Sequence, residues 1–143
     1  MGQHGSEADS GRVVIPRAIF NSMIFHCHEC WPNEACGILA GKYSSVSRIY
    51  RMINIEPSPF SYLMESAEQF RVMTEMRSRS LSMVAIYHSH PSAPACPSLR
   101  DIALAFYQEA VYIIVSLTGD ETVVKGFGIK EGVSCEIEVV QGL

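Results

Sequence analysis

Three stretches of this chain, residues 35–40, 83–87 and 111–117, are apolar almost without interruption over the length of a strand. Successive side chains in a strand point to opposite faces, so such runs are dry on both faces. A sheet built around them must be covered on both sides, and the intervening sequence supplies amphipathic helices for that cover. Ile19, Phe20, Met23, Ile24 and Cys27 recur at helical spacing behind Pro16, which suits a first helical position, and Trp31-Pro32-Asn33 ends that helix. Ser66 and Gln69 form a capping-box pattern ahead of a second helix with Ala67, Phe70, Met73 and Met76 on its inner face. A third helix starts at Ser98 and carries Leu99, Ile102 and Phe106 inward. Residues 12–15, 46–55 and 122–129 read as further strands. In a last strand Cys135, Ile137 and Val139 alternate with Ser134, Glu136 and Glu138, the pattern of a strand wet on one face. Strands mixed with three helices predict an α/β fold, a three-layer α/β/α sandwich around a mixed β-sheet.

With 143 residues and 48% hydrophobic content, residues 12–143 suffice for a single domain that needs no disulfides. Residues 1–11 are small and polar, a tail expected to be disordered. Gly2 and Ser6 fit the permissive myristoylation pattern, but no basic patch supplies a second anchor. The net charge of −4 and the scattered basic residues argue against nucleic acid and anionic membrane as partners. No apolar run is long enough for a membrane span, and the start, with Glu7 and Asp9, does not read as a secretory signal. Five cysteines, an odd number, favour a reducing compartment, so the cytoplasm is the expected location. The oligomeric state is left open.

The chemistry concentrates where the 83–87 run ends, at His88-Ser89-His90-Pro91, followed by Ser98 and Asp101. Histidines two apart at a strand end point to one side, and Pro91 biases His90 to extended geometry. Two imidazoles so placed can converge on one ion at about 2.0–2.1 Å, the zinc–nitrogen distance. Asp101, eleven positions after His90, would supply a third ligand from the first turn of the following helix. A capping role for Ser98 and a dipole role for Asp101 explain those two residues, but not the histidine pair just upstream. Three protein ligands leave one corner of a zinc tetrahedron open, which is the arrangement of a catalytic site. Glu34 follows a Pro-Asn turn at the head of a buried strand. On its own it reads as an exposed loop acid, and spacing does not tie it to so distant a site.

As a set, these residues resemble the motif of the JAMM (MPN-plus) zinc metalloproteases. The match comprises His88 and His90, ten intervening residues and Asp101, with Ser98 three before that aspartate. It also includes Glu34 within Pro32-Asn33-Glu34-Ala35-Cys36-Gly37-Ile38-Leu39-Ala40-Gly41, and Asn54, Pro57, Tyr62 and Met64 in the connecting segment. The resemblance spans roughly residues 12–140, and the absence of a long insertion between Glu34 and His88 points to the prokaryotic stand-alone type.

The resemblance implies a cytidine-deaminase-like fold, although the deaminase H-x-E and P-C-x-x-C pattern is absent. It implies one zinc per chain on His88, His90 and Asp101, with Glu34 as general base to a zinc-bound water nucleophile and Ser98 as donor to the oxyanion. Two neutral imidazoles and one carboxylate would leave such a site with a net positive charge, a strong Lewis acid. The implied reaction is cleavage of a peptide or isopeptide bond after the C-terminal glycines of a ubiquitin-like, sulfur-carrier-type protein. The competing readings are a catalytically silent MPN-type scaffold and a thiol-redox protein working through Cys27 and Cys30. In the segment His26-Cys27-His28-Glu29-Cys30, Cys27 continues the apolar stripe and Cys30 lies on the same side, so core packing accounts for both. His26 and Glu29 are expected to face out. Cys96, between the proposed ligands, reads as turn filler, as a competing thiolate, or as a partner for Cys36.

Overall fold

The computed structural model describes residues 11–143. The expected N-terminal tail, apart from Gly11, and the Gly2/Ser6 pattern lie outside the described residues. Seven strands and three helices follow in order: β1 (Arg12–Ile15), α1 (Arg17–Cys30), β2 (Cys36–Lys42), β3 (Ser45–Met52), α2 (Ser66–Ser78), β4 (Ser82–His90), α3 (Leu99–Ala103), β5 (Val111–Ser116), β6 (Val123–Lys130) and β7 (Val133–Gln141).

The sheet is mixed, as expected, but it closes on itself as a barrel in the order β1-β3-β2-β4-β5-β6-β7. That corrects the picture of a sheet standing as the middle layer of a three-layer sandwich. The cause lies in β1, which pairs parallel with β7 along four residues and with β3 at Val14↔Ser45. One short strand thereby joins both edges, covering four residues of β7 but only the start of β3.

The three apolar runs became β2, β4 and β5, neighbours at the centre, and each sends alternate residues into two separate cores. Ile38, Ile86 and Ile114 pack on one face with Val72 and Met76 of α2. Leu39, Ala85, Tyr87, Ile113 and Val115 pack on the other with Met23 and Cys27 of α1. Helices therefore cover both faces of these strands, as their lack of a wet face requires. Gly37 lies directly opposite Tyr87, and a methyl group there would overlap the tyrosine ring.

Three expectations about helix faces need correction. Ser66 is the first helical residue and Glu65 the cap, with no side-chain capping bond, so the Ser66/Gln69 box does not form. The inner stripe of α2 runs through Val72 and Met76, leaving Phe70 73% exposed. Of the three residues expected inward from α3, only Ile102 packs against the core, while Leu99 and Phe106 are 88% and 74% exposed. Periodicity finds an apolar stripe but does not say which part of it meets the core. In the final strand Ile137 and Val139 are half-buried, but Cys135 is exposed. Among the described residues no helix is long and apolar enough to cross a membrane.

Candidate active site

Strand β4 does not stop at the histidines but runs through them to His90. Antiparallel pairing sets Cys36 opposite His88, and the next pair, Ala35 and Ser89, is locked twice. Ser89 N–H donates to the Ala35 carbonyl at 3.1 Å, and Ala35 N–H donates to Ser89 Oγ at 2.8 Å. Continuing that register puts Glu34 opposite His90, and directly opposed residues project from the same face of an antiparallel pair. The remote glutamate thus arrives beside the histidines through strand pairing.

Its backbone is held from the other side as well. Glu34 N–H donates to the Ser58 carbonyl at 2.8 Å, and Asn54 Nδ2 donates to the Glu34 and Ser61 carbonyls at 3.1 Å each. Asn54 Oδ1 in turn accepts from the backbone N–H groups of Glu56 and Leu63. The same segment stacks Tyr62 on His88, ring centroids 4.9 Å apart with the planes inclined by 29°.

Asp101 is positioned by a capping box at the start of α3: Asp101 N–H donates to Ser98 Oγ at 3.0 Å, and Ser98 N–H donates to Asp101 Oδ2 at 2.9 Å. The Ser98 hydroxyl proton has no acceptor among the described residues, leaving it available to a ligand. The loop before α3 is tied to β5 by Ser116 Oγ, which donates to the Ala93 carbonyl at 2.7 Å. It returns the Pro94 carbonyl to His90 Nδ1 at 2.8 Å. That bond places a proton on Nδ1 and turns Nε2 towards Asp101.

Three atoms meet as a result. His88 Nε2, His90 Nε2 and Asp101 Oδ2 form a nearly equilateral triangle with edges of 3.1, 3.0 and 3.2 Å. Ligand atoms about 2.0–2.1 Å from a tetrahedral zinc stand about 3.3–3.4 Å apart, so the triangle is one face of such a site to within a few tenths of an ångström. The donor chemistry fits too: neutral imidazole lone pairs and a carboxylate repel at this separation unless a cation or protons stand between them. Among the described residues these three are the only group of histidine, cysteine or acidic side chains that converge this way, and exposed Cys96 is not part of it.

Glu34 is 4% exposed, and its Oε1 has no hydrogen-bond partner among the described residues. Burial pushes its carboxyl up to about 8, against opposing help from His90. Burial works against a charged His90, but hydrogen bonds to Asp101 and Pro94 outweigh it and raise the imidazole. Burial alone would raise Asp101; hydrogen bonds from His88 and His90 instead hold it far below the carboxylate range.

A pH dependence follows for the metal-free chain. A group whose folded value lies above its unfolded one stabilises the fold fully below the unfolded value and loses that contribution as pH rises through the folded value. For Glu34 the window runs from about 4.5 to about 8, and His90 acts in the same direction. Thermal stability of chelator-treated protein should therefore fall across this window, and Glu34→Gln should flatten the fall. An unchanged slope in the variant would remove Glu34 as its source.

Ser89, between the two histidines, was not read as functional from the sequence; the signal was a hydroxyl inside an otherwise dry strand. Ser89→Ala leaves the buried Ala35 N–H without an acceptor, a cost of about 1–3 kcal/mol. The expected result is a lower melting temperature and slower turnover at unchanged metal content, because Glu34 shifts and the ligands do not.

The region of the alternative thiol site is arranged differently from expectation. His26 does not face out: it is buried, with Nδ1 2.6 Å from Tyr87 Oη, while Glu29 is exposed beside Arg51. Cys27 is buried and Cys30 half-buried; burial pushes the Cys27 thiol up to about 12 and raises that of Cys30 as well. Such thiols carry almost no thiolate at neutral pH, which argues against redox chemistry there.

Beside His88 and Asp101 opens a cavity of about 200 Å³, lined by the buried Ile86, Ile114 and Ile129 and by the exposed Leu63, Leu104 and Tyr107.

Residues 16–127 match the family model described as prokaryotic homologues of the JAB domain. The chain is 40% identical over 106 residues to the CysO-cysteine peptidase of Mycobacterium tuberculosis, covering 73% of each protein. It is 33% identical over 121 residues to a probable TtuB-protein conjugate cleaving protease of Thermus thermophilus, covering 84% of this chain and 78% of the relative. The solution structure of a protein from Desulfitobacterium hafniense superposes with a TM-score of 0.81 at 34% identity, over 90% of this chain and 92% of that one.

Proposed function

The chain belongs to the prokaryotic family of JAB-domain homologues, the stand-alone JAMM-type hydrolases, and from that premise we propose that it is a zinc-dependent hydrolase acting on a ubiquitin-like carrier protein. The bond cut is a peptide or isopeptide bond after the carrier's C-terminal glycines. The observation that carries this reading is the triangle of His88, His90 and Asp101 beside a buried Glu34 whose Oε1 has no hydrogen-bond partner among the described residues. The substrate class is supported by relatives named for a CysO-cysteine bond and for TtuB-protein conjugates.

His88 Nε2, His90 Nε2 and Asp101 Oδ2 would hold one Zn²⁺ per chain. Zinc held there would supply Lewis acidity, polarising a carbonyl and making water more acidic. Glu34 takes a proton from the attacking water at Oε1 and passes it to the nitrogen of the departing amine. Its buried position keeps competing water away, and a nearby cation favours its charged form, restoring a base at neutral pH. The Ser98 hydroxyl donates to the oxygen that gains charge as the carbonyl becomes tetrahedral. Tyr62 and the Pro94 carbonyl orient His88 and His90, and Asn54 holds the backbone of Glu34.

Residues 12–143 act in this reading as one catalytic domain, and the protein works in the cytoplasm, which five free cysteines support. The cytidine-deaminase-like kinship of the fold belongs to the same reading, supported by helices on both faces of β2, β4 and β5.

Ser98→Ala should slow cleavage by about 10²–10³ through the lost oxyanion donor. It also removes an N-cap worth about 1 kcal/mol from the helix that presents Asp101, so metal affinity should weaken in parallel. Ser98→Thr, which keeps both hydrogen bonds, should recover most of each. The reading as a whole is tested by mass spectrometry of a Gly-Gly-ended carrier, extended at its C-terminus or joined to a lysine, incubated with the protein. A cut after the second glycine, abolished by a chelator and restored by zinc, is expected; no cut by a zinc-loaded chain would overturn it.

A further inference from the structure

Glycines before the scissile bond have no side chain to place in the cavity beside His88 and Asp101. At about 200 Å³ it is smaller than typical small-molecule sites of about 300–1,000 Å³ and of the order of one amino-acid residue. Its lining is mostly apolar, with Gln69 and Tyr107 among the polar-tipped side chains, and Arg100, next to Asp101 in α3, lines the same space. Arg100 is exposed and, like Arg12, Arg17, Arg71 and Arg77, makes no ion pair or side-chain hydrogen bond among the described residues, but of these five it alone lines this cavity. A free guanidinium fork at the rim of an apolar cavity, beside the metal-ligating triangle, matches a ligand with an apolar body and a carboxylate.

We propose that Arg100 and this cavity recognise the leaving group as a single C-terminal amino acid with an apolar side chain and a free α-carboxylate. Resting on the hydrolase reading above, this makes the preferred substrate a linear, one-residue extension of the carrier rather than a lysine-linked conjugate. A lysine inside a folded protein brings an aliphatic stem to the cavity but no carboxylate to Arg100. An extension by one residue brings both, since its carboxylate lies one residue from the scissile bond. The carboxylate would exchange its water for a bidentate contact with Arg100, and the side chain would enter the space above Ile86 and Ile114.

Two readouts on the zinc-loaded chain test this. The first follows the methyl resonances of Leu104 and Ile114 during titration with L-leucine and with L-leucinamide. Charge-assisted hydrogen bonds are worth about 1.5–3 kcal/mol, so leucine should bind about 10- to 100-fold more tightly than its amide, and Arg100→Ala should erase the difference. Persistence of the preference in Arg100→Ala would assign the carboxylate to the metal and overturn the proposal. The second compares kcat/KM for a carrier ending Gly-Gly-Leu as the acid and as the amide. The acid should be preferred by a similar factor in the wild type, with a ratio near one in Arg100→Ala. Equal rates in the wild type, or faster cleavage of a lysine-linked conjugate, would overturn it. A rate that depends instead on a leucine before the glycines would overturn it too, giving the cavity to the carrier's tail. Arg100-dependent leucine binding with no cleavage of any carrier would fail the hydrolase reading while upholding recognition of a C-terminal amino acid.

Discussion

Glu34→Gln is expected to keep its zinc and lose cleavage by about 10²–10⁴-fold, the contribution of a general acid–base group. The substitution is close to isosteric, and the Glu34 backbone stays anchored by Ser58, Asn54 and the Ala35–Ser89 lock. Only proton transfer is removed. In the metal-free chain the glutamine should be at least as stable above neutral pH, because a buried carboxyl raised to about 8 no longer has to ionise. A variant less active yet no longer able to hold metal would place Glu34 among the ligands instead.

Asp101→Asn should do the opposite: the fold survives and the metal is lost. The amide keeps the size of the carboxylate but surrenders the negative charge that would be offered to the ion beside two imidazole nitrogens 3.1 Å apart. Even residues one step removed from a metal commonly cost about 10–100-fold in affinity, so a ligand should cost at least 100-fold. Cleavage should fall with occupancy and recover only in part at high zinc. Protons compete with the ion for the same imidazole nitrogens, so zinc affinity should weaken towards acid pH as His90 charges. Calorimetric titration of zinc into both proteins reads these effects directly.

Much of this site is local in sequence and therefore legible there. His88 and His90 share a face because they share a strand, and the capping role read for Ser98 is met, with Asp101 completing a capping box that the structure adds. The placement of Glu34 is not local: it follows from the register of β2 on β4, which no spacing in the sequence encodes. Closure of the sheet was hidden for the same reason, since it depends on the first and last strands meeting side by side. Phe70, Leu99 and Phe106 were misplaced because an apolar residue on a helix or loop can face a core or stand exposed, and periodicity treats both alike. His26 was misplaced because its partner, Tyr87, lies on another element.

The most direct test of the central claim is the zinc content of the purified wild type beside His88→Ala, with cleavage of a Gly-Gly-extended carrier measured on the same samples. One zinc per chain in the wild type, lost together with cleavage in the variant, is the predicted result. A folded wild type that takes up no zinc on addition, or one that holds zinc and cuts no carrier, would contradict it and leave a silent binding domain in its place.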